Sequence, residues 1–148
     1  MNRQLRHELH DLSLVAAGAI PGALLRWQLE DVGSTWIGGL RGMVEADVVA
    51  NLLGCLLIGL LLSRPRPAAR LMLWGAIGFC GSLTTFSSWM LQLVLALERG
   101  APLAALGMLL LSLSAGLALV AAGQTLGHCW LRRASHTRAI DRARRAAR

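Results

Sequence analysis

Apolar residues fall into four long blocks separated by short polar or charged stretches. Leu12–Leu25, Val48–Ser63, Leu71–Leu97 and Pro102–Leu126 carry no charged side chain. A membrane-crossing helix needs about 20 largely apolar residues. The first block is short by that measure, and extending it through Trp27 lets Arg26 snorkel while Trp27 sits at the interface. The spacing therefore predicts transmembrane helices over about 12–27, 48–63, 71–97 and 102–126. Gly18 and Gly22 form a GxxxG pattern that offers a close-packing face, and Pro21 between them predicts a bend. Residues 28–47, rich in glycine and flanked by Glu30, Asp31, Arg41, Glu45 and Asp47, read as a loop or short interfacial helix. Arg64-Pro65-Arg66-Pro67 ends the second span, and Glu98-Arg99-Gly100 is a short turn. Residues 1–11 form a charged tail, and residues 131–148 an Arg-rich one.

The third block is the unusual one. Gly78-Phe79-Cys80-Gly81-Ser82-Leu83-Thr84-Thr85-Phe86-Ser87-Ser88-Trp89 packs two glycines and five Ser/Thr into twelve residues at mid-membrane depth. Such composition weakens a helix. Lipid leaves freed backbone groups unsatisfied unless protein, water or an ion meets them. A helix broken inside the third span, with its loose oxygens turned toward something, is the economical expectation.

Composition supports membrane placement, with 55% hydrophobic residues and no tyrosine. All 15 basic residues are arginine, and the net charge is +7. They cluster in the tails and one loop, which argues for cytoplasmic anchoring over nucleic-acid binding. Twelve arginines lie on the side shared by both termini and the 64–70 loop, against three (Arg26, Arg41, Arg99) on the other. The positive-inside rule thus predicts cytoplasmic termini. Cys55, Cys80 and Cys129 lack CxxC spacing and read as small buried hydrophobes. His7-Glu8-Leu9-His10-Asp11 has the wrong spacing for a HExxH zinc site. No nucleophile–base pair or phosphate loop appears, which argues against an enzyme. No cleavable signal peptide and no internal repeat is expected.

Asn51 in an apolar helix needs a partner for its amide, either as glue between helices or as part of an ion path. Phe86 and Trp89, three apart, share a helical face. They line such a path or face lipid.

The glycine- and hydroxyl-rich stretch closely resembles the signature of the Fluc (CrcB-type) family of small bacterial fluoride channels, written roughly GFxGGLTTFSTF. Asn51-Leu52-Leu53-Gly54 resembles that family's N-L-x-G on the second helix. The resemblance spans about Gly18 to Leu126, with its specific part in the third span. It implies two four-helix subunits packed antiparallel, in the dual-topology manner, and a passive fluoride channel exporting the ion across the bacterial inner membrane. Neutral donors suit a small, strongly hydrated anion that must not be trapped. Asn51, Thr85, Ser87 and Ser88 are the candidates, with Ser112 on the fourth helix. Positive ring edges of Phe86 and Trp89 add to them. The resemblance further implies a structural Na⁺ held by the backbone carbonyls of Gly81 and Thr84. Arg26 matches an arginine at the end of the first helix, read as interfacial anchor and anion attractor together.

This chain departs from the family pattern at five positions. Trp89 replaces a phenylalanine, Ser82 replaces the second glycine, and Gly116 stands where a second serine is common. Glu45 and Asp47 fall where uncharged residues are usual, and they would repel an anion unless Arg41 pairs with one. The uneven arginine distribution favours a fixed orientation with an oppositely oriented paralogue as partner, and a homodimer is the alternative. Two other function classes stay open. A small multidrug-resistance-type transporter would need an embedded carboxylate that Leu12–Leu25 lacks. The other is a non-conducting or heteromeric partner subunit, its Arg138, Arg142 and Arg145 face touching anionic lipid.

Overall fold

The computed structural model describes residues 3–64 and 67–146, and within these it is helical with no strand. Helix α1 runs Arg3–Gly33 and passes through a π-helical turn, Ser34–Gly38, into α2, Gly39–Leu62. The third span is built in pieces: α3 Ala69–Leu71, a π-helical stretch Met72–Cys80, α4 Gly81–Leu83 and, after a gap, α5 Ser87–Glu98. Helix α6 spans Pro102–Ala146. Among the described residues, four stretches are long and apolar enough to cross a membrane: Gln4–Gly38, Glu45–Leu62, Ala69–Glu98 and Pro102–Arg133. The protein is an all-α, multi-pass membrane protein.

The helices overrun the uncharged blocks. Residues 28–47, expected as a loop or short interfacial helix, are helical on both sides of a turn at Gly38, whose φ of 97° is open to glycine. Helical structure likewise begins at Arg3 inside the charged tail. The reason is simple: charge ends a membrane span but not a helix, and Arg, Glu, Gln and Leu are all good helix formers.

The opposite turn is built from one glycine. Gly100, at φ 70°, donates its N–H to Leu97 O, and Ala101 N–H reaches Ala96 O at 3.0 Å. This is a Schellman closure of α5, and Pro102 then opens α6 at the position where a missing N–H does no harm.

Packing relies on small residues. A Cβ on Gly18 would overlap the Trp74 carbonyl, and one on Gly22 would overlap the Phe79 carbonyl and the Ser82 hydroxyl. The GxxxG face of α1 therefore lies directly on the backbone of the third span's first half, as small-xxx-small faces do in membranes. Gly59 and Gly123 bring α2 and α6 equally close, facing the carbonyls of Val120 and Leu56. The side chains of Arg41, Arg138, Arg142 and Arg145, and all of Pro65 and Arg66, lie outside the described residues, so the expected Arg41 pairing and lipid-contact face do too.

Candidate functional site

The helical ladder of the third span ends at a definable bond. Thr84 N–H still donates to Cys80 O at 3.0 Å, and the Thr84 hydroxyl donates to the same oxygen at 2.9 Å. The next residue leaves the ladder: Thr84 is extended, at φ −85° and ψ 151°. Thr85 N–H donates to Asn51 Oδ1 at 2.7 Å, and Asn51 Nδ2 donates to Thr85 O at 2.9 Å. One primary amide thus supplies both hydrogen bonds that the broken helix forfeits at this residue, which is what lets the break persist at membrane depth.

That pairing also orients the amide. Only with Oδ1 toward the Thr85 N–H do both bonds form, and a primary amide has two N–H groups, so one Nδ2–H stays available. Gly54, one turn further along α2, completes the fit, because a Cβ there would strike Thr84 Cγ2. The Asn51-Leu52-Leu53-Gly54 run is therefore a receptor for the break: Asn51 binds it and Gly54 makes room for it. From the sequence, Asn51 was legible as helix glue or ion contact. Its backbone partner was not, because nothing local in the chain says which of several freed groups an amide 34 residues away will meet.

The break takes the helical donors from four carbonyl oxygens, those of Gly81, Ser82, Leu83 and Thr84. In an unbroken helix, Gly81 O would accept from Thr85 N–H, which is engaged by Asn51, and Thr84 O would accept from Ser88 N–H. Among the backbone bonds linking the described segments, none reaches either oxygen. Neutral carbonyl oxygens without helical donors are the kind of ligand a hard cation takes, and Gly81 and Thr84, which the family resemblance implies for Na⁺, are two of these four.

The aromatic pair is in contact, with ring centroids of Phe86 and Trp89 5.5 Å apart and planes tilted by 51°. Phe86 is 70% exposed. Ser87 and Thr85 hydroxyls bond each other at 3.1 Å. Ser88 is half-buried, and Ser112 on α6 is half-buried and bonded to none of these groups. Arg26 is tied to its own helix, its Nε 3.2 Å from Glu30 Oε1. Asp47 is buried, at 5% exposure. Among the described residues, two buried side-chain polar atoms are left without a partner, Asp47 Oδ1 and Trp89 Nε1. Each such atom costs about 1–3 kcal/mol. Ser82, the residue in place of a glycine, donates to Ala19 O at 2.9 Å and so ties the third span to α1.

Residues 13–124 match the family described as CrcB-like protein, Camphor Resistance (CrcB). The chain is 48% identical over 123 residues to fluoride-specific ion channel FluC 2 of Parasynechococcus marenigrum (strain WH8102), covering 83% of this chain and 85% of that protein. It is 40% identical over 124 residues to FluC 2 of Prochlorococcus marinus (strain MIT 9313), covering 83% and 86%. With fluoride-specific ion channel FluC of Pseudomonas fluorescens (strain SBW25) it shares 38% identity over 118 residues, covering 76% and 92%.

Proposed function

This chain belongs to the CrcB-like family, and from that premise we propose that it is a fluoride-selective ion channel that lets fluoride leave the cytoplasm passively. The observation that carries the reading is the third span's break, held open by the two Asn51–Thr85 hydrogen bonds. Beside it lie the groups a dehydrating fluoride needs: the second Asn51 Nδ2–H, the hydroxyls of Thr85, Ser87 and Ser88, and the ring edges of Phe86 and Trp89. All are neutral, so they replace hydration without trapping the anion. The family match displaces the multidrug-transporter alternative.

The same reading extends to assembly. Two subunits pack antiparallel, and the Gly81 and Thr84 carbonyls of each hold one Na⁺, which, when bound, satisfies oxygens the break leaves bare and ties the subunits together. The protein resides in the bacterial inner membrane with its termini cytoplasmic, as the twelve-to-three arginine distribution supports. That asymmetry also favours a second version, in which the partner is an oppositely oriented paralogue.

Fluoride efflux from liposomes holding the purified protein tests the reading. Wild type should release fluoride and not chloride, and Asn51→Ala and Phe86→Ala should release far less. Wild-type liposomes that leak no faster than empty ones would overturn conduction by this chain alone. Orientation mapping of tagged termini separates the two assemblies, since termini on both faces of the membrane would eliminate the fixed-orientation heteromer.

A further inference from the structure

Two cavities beside α2 join into one groove. The outer one, about 260 Å³, lies where α2 ends, the third span begins and α6 nears the end of its apolar stretch. Arg64, Leu71, Trp130 and Leu131 line it. The inner one, about 190 Å³, runs between α2 and the π-helical stretch, with Leu57, Trp74, Gly75, Phe79 and Cys80 in its walls. Leu60 and Leu61 line both, so the two are continuous. From Leu57 to Ser63 the helix rises roughly 9 Å.

The groove is charged at one end only. Arg64, two residues past the second apolar stretch, is exposed, and no ion pair among the described residues engages it. Trp130 is 66% exposed at the same end, a place where an indole suits the headgroup level. Ser63 also lines this end, but its hydroxyl already donates to Leu60 O at 2.7 Å. A Cβ on Gly127 would overlap the Ser63 side chain, so α6 comes against the last turn of α2 with no side chain between them. Deeper, Trp74 and Phe79 stack at 6.1 Å with planes 18° apart, which gives the groove a flat aromatic wall. A Cβ on Gly75 would first meet the Leu61 methyls, at 3.1 and 3.4 Å.

We propose that this groove binds an anionic phospholipid, with one acyl chain along Leu57, Leu61 and the Trp74–Phe79 wall and the phosphate at Arg64. Charge complementarity selects this occupant. A wholly apolar partner leaves Arg64 unmatched, and a free anion leaves the apolar length unfilled. A phospholipid meets both, and the order of its parts follows the order of the lining. A guanidinium suits the phosphate because its fork donates two parallel N–H bonds. The inner end of the groove reaches Cys80, whose carbonyl accepts the Thr84 N–H in the last helical bond before the break. An acyl chain there packs against the residue on which the broken helix ends.

The test uses full-length protein in micelles holding equal amounts of phosphatidylglycerol and phosphatidylcholine, with retained lipid counted by native mass spectrometry. No readout in it needs fluoride conduction. Wild type should retain phosphatidylglycerol in preference. Arg64→Gln should lower that preference roughly fivefold, the equivalent of about 1 kcal/mol for one basic residue near an anionic surface. Arg64→Lys should keep most of it. Gly75→Leu, which puts a side chain into the groove, should cut retention of both lipids. Glycerol phosphate, a headgroup without chains, should not compete. Equal retention of the two lipids by wild type, or a preference unchanged in Arg64→Gln, overturns the proposal. So do undiminished retention by Gly75→Leu, displacement by glycerol phosphate, and a wild type that holds no lipid. Arg64→Gln, at an exposed position, keeps the test decisive if Gly75→Leu fails to fold.

Discussion

The two halves of the third span meet the rest of the subunit in different ways. In the first half, Gly75, Gly78 and Cys80 are buried, and α1 lies against the backbone with no intervening side chain. In the second half, Ala96 is the buried residue of α5, while Leu91, Val94 and Leu97 are 42–55% exposed. One half is anchored against α1, and the other makes thinner contact, with α6, with α2 and where Asn51 grips Thr85 just before it. A span interrupted between a fixed half and a loosely attached one has its freedom concentrated at the break, where the freed oxygens and the aromatic pair are. The exposed face of α5 is open to lipid or to the second subunit proposed above.

The largest effect expected from this contrast is at Gly78. A Cβ there would overlap the Val15 carbonyl and press on Gly18 Cα. Gly78→Leu has no flexible neighbour to move aside, so the clash falls on two backbones. Overpacking of this kind costs about 1–3 kcal/mol or more. The expected outcome is loss of monodisperse protein on size-exclusion chromatography. A folded, conducting Gly78→Leu would show that α1 and the first half of the span are not locked together. Next comes Asn51→Ala, which leaves Thr85 N–H and C=O both without partners. At about 1–3 kcal/mol for each, the break should close or collapse. Flux should fall by at least tenfold, and denaturant stability should fall with it. Were stability to drop with flux intact, Asn51 would be glue and nothing more.

Asn51 also shows how far the sequence could be read. The break itself was legible, because Gly81, Ser82, Thr84 and Thr85 are poor helix formers in a place where helices are otherwise obligatory. The four spans were legible from hydropathy alone. Their ends were not: Arg3–Asp11 and Gln28–Asp47 are helical although charged, since charge reports on the membrane boundary and propensity on the helix. The burial of Asp47, at 5% exposure, was not legible either, since nothing local says that a carboxylate just before an apolar block will be covered. Long-range meetings such as Asn51 with Thr85, Gly54 with Thr84 and Gly22 with Ser82 are properties of packing, and no window along the chain displays them.

The exposed half offers a middle-sized test. Val94, 42% exposed on α5, faces either lipid or another subunit. Val94→Trp adds bulk that acyl chains accommodate and a packed interface does not. If α5 carries the subunit contact, chemical cross-linking should recover roughly tenfold less dimer, as about 1–3 kcal/mol of overpacking implies. The monomer's helical circular dichroism should be unchanged. Undiminished cross-linking would assign this face to lipid and move the interface elsewhere.

The smallest expected effect is at Ser82, and it separates holding the anchored half in place from shaping the break. Its hydroxyl donates to Ala19 O at 2.9 Å and lies 3.1 Å from Phe79 O one turn back. The second contact is local and survives in any helical serine, so the cross-helix bond is what Ser82→Ala removes from the tertiary structure. Interhelical hydrogen bonds of this kind are worth about 0.6 kcal/mol on average in membrane proteins. Ala is also the better helix former, which offsets part of the loss. Resistance to denaturation in detergent should therefore fall slightly, and fluoride flux should stay within about twofold of wild type, since Ser82 bonds neither Asn51 nor Thr85. Gly22→Ala is expected to be severe in either background. Even with the hydroxyl removed, a Cβ at that position still overlaps the Phe79 carbonyl, which no substitution at Ser82 can move. A Ser82→Ala protein with normal stability and greatly altered flux would mean that the anchored half passes its position directly to the break.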